Sequence, residues 1–138
     1  MQRREFIKNT LTAGAAVALN ACAQASRITR RRPGPNETVR LAVVGLLHKG
    51  GGHVQRFHSI PGVEVVALAD VDEAALRMRA DKFDRRMGGK AELLRDMRHL
   101  LERDDIHAIS IATPNHWHVL QGIWCCQAGK PVYVEKPV

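Results

Sequence analysis

Apolar residues along this chain fall into two alternating periods. Four short runs, 39–44, 63–69, 106–112 and 132–134, are dense in Val, Ile, Leu and Ala, the pattern of strands buried on both faces of a sheet. Between them apolar positions recur at helical spacing: Val54, Phe57 and Ile60 after the first run, Ala, Leu and Met across 73–83 after the second, and 119–128 after the third. Gly129 stops the last helix, since glycine takes the left-handed turn that ends one, and Gly88-Gly89 breaks the helix over 73–83. Residues 91–95 are expected as a short edge strand and 97–103 as another amphipathic helix. Strand-helix-strand alternation makes neighbouring strands parallel, and the sum is a five-strand parallel α/β fold.

In open parallel sheets, ligands sit beyond the carboxyl ends of the strands, and the chemistry-bearing residues gather there. The run 39–44 enters Gly45-Leu-Leu-His-Lys-Gly-Gly-Gly-His53 and then a helix, so bare backbone N–H groups can meet a pyrophosphate at the helix's positive end. Gly45 and Gly50 fit the first and third glycines of G-x-G-x-x-G, while Leu47 holds the second place, where its Cβ crowds the phosphates; an ordinary flexible loop is the rival reading. Asp70 closes the next strand, where a carboxylate accepts both ribose hydroxyls and repels a 2′-phosphate, with Asp72 as an alternate acceptor. Thr113, Pro114 and Asn115 end the third run, and Glu135-Lys136-Pro137 ends the fourth. Both segments should open onto one crevice.

The remaining histidines draw plainer readings. His116 and His118 flank a Trp at a helix entry with no third ligand at metal spacing, so no metal site is read from them. Trp117 suits packing or substrate stacking, His53 a local hydrogen bond, and His48, His58, His99 and His107 incidental or solvated positions.

Gly45 through His53, Ala69-Asp-Val-Asp72, Ala112-Thr-Pro-Asn-His-Trp-His118, Ala128-Gly-Lys130 and Glu135-Lys-Pro137 together resemble the amino-terminal half of the glucose-fructose oxidoreductase, inositol dehydrogenase and rhizopine-catabolism (Gfo/Idh/MocA) family. The resemblance covers about residues 39 to 138 and implies a Rossmann-type doubly wound parallel sheet. It implies that Lys136 is the catalytic lysine beside the nicotinamide and the substrate hydroxyl, where a lysine donates a strong hydrogen bond to a developing alkoxide. Glu135 would contact the cofactor, Thr113, Pro114 and Asn115 would line the same groove, and His118 corresponds to the family's histidine after Thr-Pro-Asn. With Gly45, Gly50 and Asp70 these form the expected cofactor site, with NAD preferred to NADP. Leu47 departs from the family's second glycine.

Charge alters the picture only at the amino terminus. Positions 1–35 hold seven basic residues against Glu5, leaving fourteen basic and thirteen acidic residues for the rest, so the basic balance belongs to a leader and linker. Nucleic-acid binding therefore has no support. Arg3-Arg4 followed by Phe6 and the weakly apolar run 13–19 resembles a twin-arginine export signal, too short to span a bilayer. Residues 1–23 are read as that signal, 24–37 as a mobile basic Pro/Gly linker, and 38–138 as the nucleotide-binding domain. Cleavage after Ala23 is the first reading, and lipidation of Cys22 the second. Partners would be the twin-arginine translocase and nicotinamide dinucleotide, and the location periplasmic or otherwise exported. Cys125 and Cys126, helix neighbours, are read as small buried apolar residues, not a disulfide.

The chain stops at Val138, one residue past Glu-Lys-Pro, whereas the resemblance implies a second α/β domain that closes the substrate site and supports homo-oligomers. The expected function is the nucleotide-binding half of an exported NAD(P)-dependent oxidoreductase acting on a sugar or cyclitol hydroxyl. The rivals are an NAD-dependent glycosidase of the same family and a non-catalytic fragment.

Overall fold

A computed structural model describes residues 33–138. The expected signal, 1–23, and most of the linker lie outside the described residues; the linker's last part contains a turn in which Glu37 N–H donates to the Gly34 carbonyl.

Five strands, β1 (Val39–Val44), β2 (Val63–Ala69), β3 (Glu92–Leu94), β4 (Ala108–Ile111) and β5 (Val132–Val134), form one sheet in the order β3-β2-β1-β4-β5. Every pairing is parallel. The helices are α1 (His48–His58), α2 (Glu73–Met87), α3 (Arg98–Leu101) and α4 (Asn115–Gln127). Val54 of α1 and Leu76 and Phe83 of α2 pack with Leu41, Val43 and Leu68 on one face; Leu100 of α3 and Cys125 of α4 pack with Ala42, Ala67, Ile109 and Ile111 on the other. That is the doubly wound Rossmann-type architecture, and its strand order reverses between β1 and β4, where ligands bind in such sheets.

Alternation along β1 and β4 sends successive side chains to opposite faces. In β2 a register shift skips Val66, pairing Leu41 with Val65 but Ala42 with Ala67, and restores the alternation so that Leu68 and Ala69 face opposite cores.

Several boundaries differ from expectation. Helix α2 runs on to Met87, because the polar stretch after Phe83 is its solvated face, and it ends where Gly88 takes φ 68°. The helix expected over 97–103 shortens to Arg98–Leu101. Gly50, Gly51 and Gly52 lie inside α1, so the phosphate-sized turn is only Gly45 to Leu47. Cys125 is buried, its thiol pushed up to about 12 by desolvation, whereas Cys126 is exposed and departs from the buried reading.

Candidate functional site at the carboxyl ends of the strands

The turn after β1 is shaped by two glycines. Gly45 has φ 81°, and a Cβ there would stand 2.6 Å from the Thr113 nitrogen, so the turn lies directly against the end of β4. At Gly50 a Cβ would stand 1.6 Å from the Gly45 carbonyl oxygen, so only glycine lets α1 begin this close to the strand. Leu46 is fully buried beneath the turn, while Leu47 is 45% exposed above it.

Two helix starts on this side contrast. Asp72 caps α2, its Oδ1 accepting from the amides of Ala74 (2.8 Å) and Ala75 (3.3 Å), with Glu73 in the first turn. The start of α1 has no capping side chain and no acid in its first turn. Its amides and positive dipole end are thereby left for an anion. Asp72, expected as an alternate ribose acceptor, uses Oδ1 for this cap.

Asp70 lies across this turn. Its Oδ2 accepts from Leu46 N–H at 2.7 Å and its Oδ1 from Asp72 N–H at 3.0 Å, which fixes the carboxylate while each oxygen keeps acceptor capacity. On the same residue's carbonyl side, Arg79 donates Nε to Leu46 O at 2.7 Å and a terminal nitrogen to Leu47 O at 3.2 Å. Arg79 was not foreseen; it buckles the turn and, with His48, Gln55, Lys82 and Arg86, lines a cleft of about 280 Å³ between α1 and α2.

Beyond the switch point, Thr113 donates its hydroxyl to Gln121 Oε1 at 2.7 Å, and Pro114 and Asn115 open α4 at the surface. Residues 135–137 follow β5, and Glu135 N–H donates to the Ile111 carbonyl at 2.9 Å, extending the β4–β5 ladder into the site. Lys136 is exposed; its backbone amide donates a hydrogen bond to the Glu135 carboxylate, while its side chain has no hydrogen bond or ion pair with the described residues.

Three histidines depart from their sequence readings. His53 is 4% exposed, and its partners are remote: Nδ1 meets Ser110 Oγ at 2.8 Å and Nε2 meets Glu135 Oε1 at 2.9 Å. The hydrogen bond with His53 holds the Glu135 carboxyl below the usual carboxylate range. Expected as a cofactor contact, His118 is 1% exposed with both ring nitrogens engaged, Nε2 with Thr113 O at 2.7 Å and Nδ1 with Pro137 O at 3.0 Å. It reaches the site through those two residues. His107 Nδ1 accepts from Arg40 N–H at 3.1 Å, so it is a structural acceptor, not an incidental residue. The one sequence signal for the His53 link was Ser110, a hydroxyl inside a strand otherwise apolar on both faces.

The residues fit a dinucleotide: a glycine turn against a strand end, an uncapped helix start, and a fixed carboxylate at the end of the neighbouring strand. The comparisons agree. A Glycosyl hydrolase family 109 protein 2 from Shewanella sp. (strain ANA-3) is 33% identical over 99% of this chain and 33% of its own length. The myo-inositol dehydrogenase of Lactobacillus casei, solved with NAD(H) and myo-inositol, is 27% identical with a TM-score of 0.66, over 72% of this chain and 29% of that one. A 3-ketoreductase variant from Actinomadura kijaniata, solved with TDP-benzene and NADP, is 28% identical with a TM-score of 0.61, over 73% and 31%. The chain thus spans about a third of the length of the curated relative. Residues 39–138 match the oxidoreductase family with an NAD-binding Rossmann fold, Gfo/Idh/MocA, and the chain belongs to that family.

Proposed function

We propose that this chain is the nucleotide-binding half of an NAD-dependent enzyme that oxidises a carbinol carbon of a sugar or cyclitol. The observation that carries this reading is the shared position of the glycine turn, Asp70 and Lys136 at the carboxyl ends of β1, β2 and β5 on one edge of the parallel sheet. A bound nicotinamide supplies the hydride acceptor. The amides of α1 receive the pyrophosphate, and Asp70 accepts the adenosine ribose hydroxyls. Glu135 lines the cofactor groove, as do Thr113, Pro114 and Asn115. Lys136 Nζ would donate to the substrate oxygen and stabilise the negative charge left there when the hydroxyl proton passes to solvent or to a base of the substrate-binding part. The relatives solved with scyllo-inositol and myo-inositol support a polyhydroxylated substrate.

Cofactor choice follows from two opposed charges. Asp70 favours free ribose hydroxyls, whereas Arg79, Lys82 and Arg86 in the adjoining cleft favour phosphate. We expect Asp70 to prevail because its carboxylate stands at the end of β2 where the ribose is received, while Arg79 is already engaged with the Leu46 and Leu47 carbonyls. Titration with NADH and NADPH tests this; equal or tighter NADPH binding would refute it.

A second reading is favoured by the glycosyl hydrolase names among the curated relatives. In that case the oxidation would be transient: it would acidify the neighbouring carbon and allow elimination of the glycosidic bond, water would add to the resulting unsaturated ketone, and the oxidation would be reversed before release. Incubating a glycoside with the protein joined to its substrate-binding part distinguishes them. Accumulating NADH identifies a dehydrogenase, and hydrolysis without net NADH a glycosidase.

Export by the twin-arginine route is proposed on Arg3-Arg4 and the apolar run behind them. Replacing both arginines with lysine should retain the precursor in the cytoplasm, because lysine lacks the guanidinium fork. Undiminished export of the double variant would remove the assignment.

A further inference from the structure

Segment 135–137 follows a strand of only three residues at the edge of the sheet, β5, so its geometry depends on what grips it from outside the ladder. Two buried histidines do so, one from each face. From α1, His53 holds the Glu135 carboxylate at 2.9 Å; from α4, His118 faces the Pro137 carbonyl at 3.0 Å. Lys136 stands between them, exposed.

Donor counting orders the first contact. An ionised carboxylate only accepts, so the proton lies on His53 Nε2, and Nδ1 of the neutral ring accepts from the Ser110 hydroxyl. Ser110 is fully buried on β4, and Phe57 and Tyr133 pack edge-on against the ring at 5.8 and 5.5 Å, so the imidazole is fixed by packing as well as by bonds. The His118 ring, also buried, is seated between the carbonyls of Thr113 and Pro137; carbonyls only accept, so the ring donates to both as imidazolium, whereas a neutral ring donates to one of them and merely packs against the other.

We propose that His53 and His118 are positioning residues that hold Lys136 in register with the glycine turn, by fixing the residue on each side of it. The proposal rests on the dinucleotide reading of the strand end. His53 lies on α1 itself, one turn past Gly50, so the helix that meets the pyrophosphate also sets the carboxylate beside Lys136. A misplacement of about 1 Å in such a group costs on the order of 100-fold in reaction rate. The contacts sit where that tolerance matters.

The test separates the two ends of the dinucleotide. NADH and ADP are titrated against the 138-residue chain and its variants, since on the dinucleotide reading ADP would engage the glycine turn and Asp70 but lacks the nicotinamide that would reach residues 135–137. His53→Leu and His118→Leu should each weaken NADH about tenfold, the scale of a lost hydrogen bond to a charged or buried partner, and leave ADP within about twofold. His53→Gln, which keeps a donor for Glu135, should recover NADH binding to within about threefold of wild type. Ser110→Ala, which spares the Glu135 contact, should weaken NADH less than His53→Leu. Parallel loss of NADH and ADP following the fall in melting temperature would make the histidines merely structural and overturn the proposal. Unchanged NADH binding in both leucine variants would overturn it too. Should the wild type bind neither nucleotide, the functional reading falls, and imidazole ¹⁵N spectra decide the anchor by themselves. Glu135→Gln must then move the His53 Nε2 resonance and spare His118; an unmoved His53 signal ends the proposal.

Discussion

Arg40 and Arg103, at the amino-terminal edge of the sheet, and Lys136, at its carboxyl-terminal edge, are cations in opposite circumstances. Arg103 grips Asp105 through Nε and a terminal nitrogen at 2.9 and 2.7 Å and also reaches Glu92. Arg40 joins the same Asp105 at 3.0 Å and Glu64 at 3.6 Å. The buried Lys130 ammonium donates to the carbonyls of Arg103 and Ile106, tying the start of β5 to the approach to β4. Charges at that edge are satisfied by one another. At the other edge the uncapped start of α1 and the Lys136 side chain are left without side-chain partners among the described residues, while their surroundings are braced by Asp70, Arg79, His53 and His118. The difference separates a scaffold from a site: one edge uses its polar groups to hold strands together, and the other holds its backbone rigid and keeps a few polar groups available.

The strongest way to break this comparison is to remove the available cation. In a protein carrying this domain with its substrate-binding part, Lys136→Ala should slow pre-steady-state hydride transfer by about 100-fold or more and leave NAD affinity nearly intact. Wild-type transfer rates would return Lys136 to the status of a solvated turn residue. Next comes Gly50→Ala, whose methyl would occupy the space of the Gly45 carbonyl. Relieving that clash should cost about 1–3 kcal/mol of stability and weaken NADH by about tenfold or more, read by denaturant melts and titration. Affinity kept in a destabilised variant would detach the turn from nucleotide binding.

At the scaffold edge the signs should reverse. Lys130→Met leaves two carbonyls without their donor and should destabilise the fold by about 1–3 kcal/mol without changing NADH affinity. An affinity change would show that the edges are coupled. The smallest effect concerns acid. Asp96, held at about 2 by its hydrogen bonds with Arg98, binds its proton less readily than an unfolded aspartate at 3.8. Its contribution is complete above that upper value and lost as pH falls towards the lower one. Because the pair is at the surface, Asp96→Asn should lower neutral-pH stability by no more than about 1 kcal/mol. A larger loss, or one that persists after full acid titration, would contradict the surface reading.

The sheet was legible because four of its strands lie in runs dense in apolar residues; β1, β2 and β5 have the bounds that the pattern marks. Helix lengths were harder to read, since Asp84 to Arg86 carry no apolar period and only the tertiary fold continues α2 through them. The glycine turn, Asp70 and the Glu135-Lys136 strand end could be found because they are adjacent in sequence to strand termini. His53, Ser110 and His118 could not be paired with their partners that way. Ser110 and His53 are 57 positions apart, and His53 and Glu135 are 82 apart; such contacts exist only once β4 and β5 have been laid beside β1. Arg79 escaped for the same reason, since its helical spacing resembles any solvated face until the fold sets it against the Leu46 carbonyl.

A crystal structure of the 138-residue chain with NAD bound is the most direct test of the site at the carboxyl ends of the strands. The pyrophosphate should lie on the first-turn amides of α1, the adenosine ribose should donate to Asp70, and the nicotinamide should rest beside Glu135 and Lys136. A dinucleotide seated elsewhere, or one whose nicotinamide points away from Lys136, would contradict the account.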